Sequence, residues 1–301
     1  MNHRITNLAA SRFPAPSDEF EGLIQLPHQL SCPTGIIFQG LERAVRQHLL
    51  FQTMEDRIEQ AERILVVQGD PGTGKTVSTA DACKRAGYAV ALLPSSRLAS
   101  ESEGGATEVL DRLLAAVVAS SEQHRMPHVI VADDIDCSII TTDAKTGRTV
   151  NSDLLTQRLQ HLADTKRPRN FDGTGLALIF TGNDFSQMRA SLLRDGRATI
   201  YTHVPTLDEK IEIAFATFQP QGSGERRLIE KLVRRYRHQP VAFLCSLRDD
   251  LDRQRLDELL ATRFPTASEA QSRLAAPLQL DATRLWSLAK ARTGNRARNF
   301  L

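Results

Sequence analysis

Gly69-Asp70-Pro71-Gly72-Thr73-Gly74-Lys75-Thr76 is the stretch on which the fold turns. It satisfies Gly-x-x-x-x-Gly-Lys-Ser/Thr at every fixed position. Ahead of it, Ile64-Leu65-Val66-Val67 is a short apolar run, largely β-branched, that reads as a buried strand. Behind it, Thr76 to Arg85 holds neither proline nor glycine and reads as a helix. Strand, glycine loop and helix in this order make a phosphate site. The glycines let several backbone N–H groups converge on one anion. The helix N-terminus adds its partial positive charge. Lys75 is then placed to reach β- and γ-phosphates, and the Thr76 hydroxyl to ligate Mg2+.

Working outward, strands and helices alternate. Leu41, Val45, Leu49, Met54 and Ile58 recur at near-helical spacing and predict an amphipathic helix before the first strand. After the loop, Tyr88 to Leu93 reads as a second strand, Val129 to Ala132 as a third, Leu176 to Phe180 as a fourth and Ala198 to Val204 as a fifth. Val109, Leu110, Leu113, Leu114, Val117 and Val118 mark one helix between them, and Leu155, Leu159 and Leu162 another. The pattern implies an α/β domain: a parallel five-stranded sheet with helices on both faces and its ligand at the carboxyl ends of the strands. From about residue 206 only helical patterns remain. The expected division is an extended, proline-containing arm over residues 1–36, an α/β nucleotide-binding domain over 37–205 and a small all-helical domain over 206–301.

Composition narrows the partners. The chain has 301 residues, 38 basic against 36 acidic, for a net charge of +2. That balance argues against a general nucleic-acid or membrane-surface binder. Its four cysteines are far apart, with no Cys-x-x-Cys, so neither a zinc knot nor a disulfide framework is expected, and reduced thiols suit a cytoplasmic protein. Met1 to Phe13 lacks an apolar signal core, and no run is long and apolar enough to span a bilayer. His124 and His128, four apart, lack a third ligand.

The other polar motifs fall at strand ends. Asp133 closes an apolar strand, where a carboxylate can hold the Mg2+ shell through water. Asp134 follows and can orient or deprotonate an attacking water. A solvated acidic turn is the plainer alternative. Asn183, in Gly182-Asn183-Asp184, suits a residue that positions water at a γ-phosphate, and equally a turn-former. Arg194 and Arg197 in Leu193-Arg194-Asp195-Gly196-Arg197 suit either bidentate contact with a neighbour's γ-phosphate or the end of a surface helix.

Taken together, Gly69 to Thr76, Asp133-Asp134-Ile135-Asp136, Asn183 and Gly196-Arg197 resemble the AAA+ ATPases in order and rough spacing. Thr181 to Ser186, Leu193 to Arg197 and the segment Gln239 to Arg248 are similar to the Rubisco-activase-like branch. The resemblance covers about residues 60 to 255. It implies ATP and Mg2+ as cofactors, with Gly69, Asp70, Pro71, Gly72, Thr73, Gly74, Lys75 and Thr76 as Walker A. It implies Thr76 and Asp133 at the metal, Asp134 in the place of the catalytic glutamate and Asn183 as sensor 1. Arg194 and Arg197 would be arginine fingers, and Arg248 the sensor-2 arginine. It further implies a homo-hexameric ring that works on a protein substrate.

Three departures qualify this picture. Asp134 is one methylene shorter than glutamate, setting its carboxylate back by about 1.5 Å, enough to slow turnover. The pore-loop segment, Ser96 to Ala106, has no aromatic and only Leu98 as a large apolar residue, which favours partial remodelling over threading. A separate recruiting domain is not expected ahead of the ATPase core. This compact plan is similar to bacterial pachytene-checkpoint-type ATPases, which implies a HORMA-domain partner in phage-defence signalling as the first expectation and a Rubisco activase as the second. A DNA-associated loader, drawing on Arg284, Lys290, Arg292, Arg296 and Arg298 with Trp286 nearby, and a nucleotide-gated scaffold are the readings from other classes.

Overall fold

The computed structural model describes residues 18–29, 35–54, 62–98, 102–139, 150–164, 168–186, 188, 190–194, 196–261 and 264–298. Ile58 and most of the arm lie outside them. The chain divides into two compact units. One comprises residues 1–30, 43–68 and 79–201; the other comprises 31–42, 69–78 and 202–301.

The first unit is built on a sheet of β1 (Ile24–Gln25), β2 (Ile64–Gln68), β3 (Ala89–Pro94), β4 (His128–Asp133), β5 (Ala177–Gly182) and β6 (Ala198–Thr202). Their order across the sheet is β1-β3-β4-β5-β2-β6. β3, β4, β5 and β2 run parallel, with Val66 facing Phe180 and Val131 facing Ile179. Five strands are those the sequence predicts. The sixth, β1, arises in the segment read as an extended arm and pairs antiparallel with β3. Two residues give no periodicity to read, so it was invisible to pattern analysis. Lys84 fixes this segment by donating to Gln25 Oε1 and the Gln29 carbonyl, both at 2.6 Å.

The central strands are buried along nearly their whole length, as a sheet covered on both faces requires. Ile64, Val66, Ile130, Ala132, Leu178 and Phe180 join one core. Packed into it are Leu110, Leu113 and Val117 of a helix over Gly105–His124 and Leu155, Leu159 and Leu162 of one over Val150–Asp164. In chain order the helices are α1 (Gln39–Phe51), α2 (Lys75–Arg85), α3 (Gly105–His124), α4 (Asp136–Ile139), α5 (Val150–Asp164) and α6 (Ala190–Leu193).

α1 is shorter than its apolar spacing predicts. Leu41, Val45 and Leu49 are buried, whereas Met54 lies beyond the helix and is exposed. The tightened bonds Gln52 N to Leu49 O and Thr53 N to Leu50 O end it, and Gln52 Nε2 satisfies the His48 carbonyl.

The second unit carries α7 (Leu207–Phe218), α8 (Ser223–Arg235), α9 (Val241–Leu260), α10 (Ala267–Ala275) and α11 (Ala282–Arg298) around a core of Ile211, Phe218, Ile229, Leu232, Phe243, Leu247 and Leu285. Thr206 and Glu209 form a capping box at α7, and Thr266 and Glu269 another at α10. The Thr-x-x-Glu spacing of 266–269 is the signal that pattern reading passed over at α10. No helix among the described residues is long and apolar enough to cross a membrane.

Candidate functional site

The glycine loop leaves the carboxyl end of β2 and enters α2 at Lys75. Gly72 and Gly74 take left-handed φ of 72° and 86°, which turns successive N–H groups to one side. Two of its glycines are also demanded by close approach. A Cβ on Gly69 would meet the His203 carbonyl oxygen at 2.4 Å, and one on Gly72 would meet Ala242 Cβ at 2.9 Å. Thr73 Oγ1 donates to the Asp70 carbonyl at 2.9 Å and closes the turn. Lys75 is almost fully buried, its Nζ donating to the carbonyls of Gly69 at 2.7 Å and Asp70 at 2.9 Å. The cation is thereby held inside the loop it is expected to serve.

The rest of the second unit braces this loop. His203 is buried and donates Nε2–H to the Thr73 carbonyl across 3.2 Å, with Phe38 edge-on to its ring. Burial holds its pKa below the usual imidazole value, with Lys75 adding to the effect against the Thr73 bond and Glu209. The first turn of α9 donates Ala242 N–H to the Gly72 carbonyl at 2.9 Å. Lys210 pins the turn before α9 by donating to the carbonyls of Arg237 and Gln239 at 2.8 and 2.9 Å. Burial lowers its pKa and Asp70 opposes that. A cavity of about 600 Å3 opens here, lined by Gly69 to Thr73, His203, Lys210 and Gln239 among others. Arg248 does not stand free: Nε donates to Asp252 at 2.8 Å and Nη1 to the Thr217 carbonyl at 3.3 Å. Lys210 and His203 carried no motif by which sequence could have found them.

In the first unit the carboxyl ends of β4 and β5 are laced together. Asp133 is the last residue of β4, half-buried, and its Oδ1 accepts from Thr181 Oγ1 at 2.8 Å. Asp134 is exposed in left-handed backbone, φ 48°, a conformation aspartate tolerates better than most residues. Ile135 N–H bonds back to the Thr181 carbonyl at 3.1 Å. Asn183 lies just past β5 with its side chain at the surface, so Asp133, Asp134 and Asn183 belong to one body. Burial, then the charges of Asp136 and Asp134, raises the pKa of the adjacent Cys137 thiol.

The two arginines separate. Arg197 is buried, with Nε on Asp164 Oδ1 at 2.6 Å, a second bond to Asp164 Oδ2 and a third to the Ser191 carbonyl. Arg194 is exposed, its Nη2 3.8 Å from Asp164. Leu98, the one large apolar residue of the expected pore segment, is buried in the core, and residues 99–101 lie outside the described residues. In the C-terminal helix, Arg292 is paired bidentately with Asp250, and Arg284 reaches Gln254 and Glu258. Those two cations are engaged within their own unit, which weakens the footing of the DNA-loader reading.

Hard oxygen donors, the Thr76 hydroxyl and the Asp133 carboxylate, are the chemistry Mg2+ takes, and a nest of N–H groups with a buried lysine is the chemistry a polyphosphate takes. Residues 65–206 match the ATPase family associated with various cellular activities (AAA). The chain is also similar to ribulose bisphosphate carboxylase/oxygenase activase from Anabaena sp., 31% identical over 192 residues, which are 62% of this chain and 46% of that protein. It is similar to the chloroplastic activase of Chlamydomonas reinhardtii, 29% identical over 204 residues, 64% of this chain and 49% of the relative. The activase of Phaseolus vulgaris is 26% identical over 194 residues, 62% and 43%. The chain spans about half the length of the curated relatives it matches. Sheet order, loop and family match agree on the fold: the chain has the AAA+ fold, an α/β domain followed by a helical region.

Proposed function

We propose that this chain is an ATP hydrolase of the AAA+ type that couples turnover to remodelling a folded protein partner, on the pattern of the activases. The observation that carries it is the loop at 69–76, with its left-handed glycines and buried Lys75, inside an AAA domain. Lys75 and the loop N–H groups would bind and orient the phosphates, and Thr76 and Asp133 carry the oxygen donors that would hold Mg2+, which would neutralise phosphate charge. Asp134 takes the proton of the attacking water, Asn183 orients that water, and an arginine from a neighbouring subunit steadies the developing charge. A cross-subunit arginine calls for a ring, and a homo-hexamer is the assembly proposed.

The activase relatives favour the Rubisco reading of the partner over the HORMA-domain reading, which they do not support. The test has two stages. ATP turnover of the native chain is compared with Lys75→Ala, which is expected to lose nucleotide binding, and with Asp134→Asn, which is expected to bind without turning over. Equal, near-zero rates in all three would sink the hydrolase reading in favour of a scaffold. Inactive ribulose bisphosphate carboxylase/oxygenase is then incubated with the chain and ATP. A gain in carboxylation that Lys75→Ala fails to produce supports the activase partner. No gain removes that partner, and capture with Asp134→Asn identifies another.

A further inference from the structure

We propose that Asp136 is a positioning residue for the hydrolysis reaction, holding Asn183 in register with Asp133 and Asp134. This rests on the hydrolase reading above. Asp136 opens the four-residue helix α4, where an acidic residue ordinarily caps its own helix. Its carboxylate does something else. Oδ2 accepts the backbone N–H of Asn183 at 2.8 Å and that of Asp184 at 3.2 Å, 47 and 48 residues further along the chain. The residue is 7% exposed, and its Oδ1 receives no N–H or O–H among the described residues.

The strand end is shaped around that carboxylate. A Cβ on Gly182 would meet Asp136 Cγ, Asp136 Oδ1 and Phe185 Cε2, each at 2.7 Å. Gly182 has an ordinary backbone conformation and is absent from the left-handed positions. Glycine is therefore required there by the close approach of that carboxylate and of the Phe185 ring, not by a turn. The lacing runs both ways: Thr181 gives its hydroxyl to Asp133 and its carbonyl to Ile135 N–H, while Asp136 receives the two N–H groups beyond β5. Four bonds thus make the residues that would hold metal, proton and water one rigid piece. Asp136 supplies the only two of the four that act directly on Asn183 and Asp184. A residue that positions another changes the rate of the chemical step and leaves ground-state nucleotide binding alone.

The experiment measures kcat and KM for ATP in Asp136→Ala and Asp136→Asn, with amide hydrogen exchange at Asn183 and Asp184. Asp136→Ala is expected to lower kcat about ten- to hundredfold with KM unchanged and with fast exchange at both amides. Asn keeps an acceptor oxygen, so Asp136→Asn is expected to restore most of the rate and the protection. Native kcat in Asp136→Ala, a raised KM with kcat intact, or a loss equal in both variants would overturn the proposal. If the alanine variant does not fold, fast exchange of both amides in the native chain overturns it, and protection that survives in Asp136→Asn supports it. A native chain with no turnover above the Lys75→Ala background fails as a hydrolase, and the catalytic use of the clasp fails with it; exchange still decides separately whether the clasp exists.

Discussion

Arg197 is forked onto Asp164, the last residue of α5 gripping the residue just ahead of β6. The guanidinium also donates to the Ser191 carbonyl, and the Arg197 carbonyl accepts from the N–H groups of Arg63 and Ile64 at 3.0 Å. A side chain held by three hydrogen bonds to Asp164 and Ser191 within its own subunit is a structural part there, whatever it contributes across a ring. Arg194, three residues earlier and exposed, is the arginine with freedom to reach outward.

Arg197→Ala should lower stability by about 1–2 kcal/mol, less than the 3–5 of a fully buried pair because Asp164 keeps contact with water. Chemical denaturation measures this. The hydrogen bond from Arg197 is the main cause holding the Asp164 pKa below the usual carboxylate value; burial opposes it, and the charges of Arg197, Arg194 and Arg63 add to it. A depressed carboxylate contributes stability above its unfolded pKa, about 3.9, and loses it as pH falls through the lowered folded value. The acid limb of the stability profile should therefore shrink in Arg197→Ala.

Arg194→Ala should change stability by no more than about 0.5 kcal/mol yet poison mixed assemblies. Titrating the variant into native protein at constant total concentration should reduce ATP turnover faster than the variant fraction rises. A strictly proportional decline would count against a cross-subunit role.

Gly72→Ala meets two obstacles, a left-handed backbone and Ala242 Cβ at 2.9 Å. Left-handed backbone alone costs an L-residue about 1–2 kcal/mol. The substitution should also break the bond from Ala242 N–H to the Gly72 carbonyl. Expected are a lower melting temperature and weaker nucleotide binding, read by calorimetry, with Gly87→Ala as a control for backbone strain in open space away from the loop.

Asp134→Glu restores the missing methylene. If the setback of the carboxylate limits turnover, kcat should rise severalfold, since errors near 1 Å can cost about a hundredfold. Glutamate tolerates left-handed backbone less well than aspartate, so a fall of about 0.5–1 kcal/mol in stability should accompany the gain. An unchanged or lower kcat would show that this position does not set the rate.

His203 and His128 are both buried and both held below the ordinary imidazole pKa, first by burial. His128 is satisfied by the Met126 carbonyl at 2.9 Å and Ser120 Oγ at 3.0 Å. Neutral when folded, each refuses a proton that the unfolded chain accepts. Stability should hold above about pH 6.5 and fall as pH drops through the lowered folded values. Melting temperatures between pH 5 and 8 test this, and His128→Asn should flatten part of the decline.

Much of the fold could be read from residues 64 to 85, because strand, loop and helix are specified locally by apolar run, glycine spacing and absence of breakers. The five main strands and most helices followed from periodicity for the same reason. What escaped reading was set by distance along the chain. Asp136 meets Asn183 across 47 residues and Arg197 meets Asp164 across 33, and neither pairing leaves a trace in local pattern. Gly72 was expected as a phosphate-loop glycine, yet the packing that also requires it comes from Ala242, far downstream. The end of α1 was missed because Gln52 closes it through its own side chain, and no proline or glycine marks the stop.

The two residues of β1 have a further consequence. They cover the outer flank of β3, whose backbone groups would otherwise face water as a template for another chain's strand. Lys84, buried and bonded to Gln25 and Gln29, rivets that cover in place. Trimming the chain past residue 29 would thus trade a tidy start for an open sheet margin and a tendency to clump. The early residues act as weatherproofing for the fold.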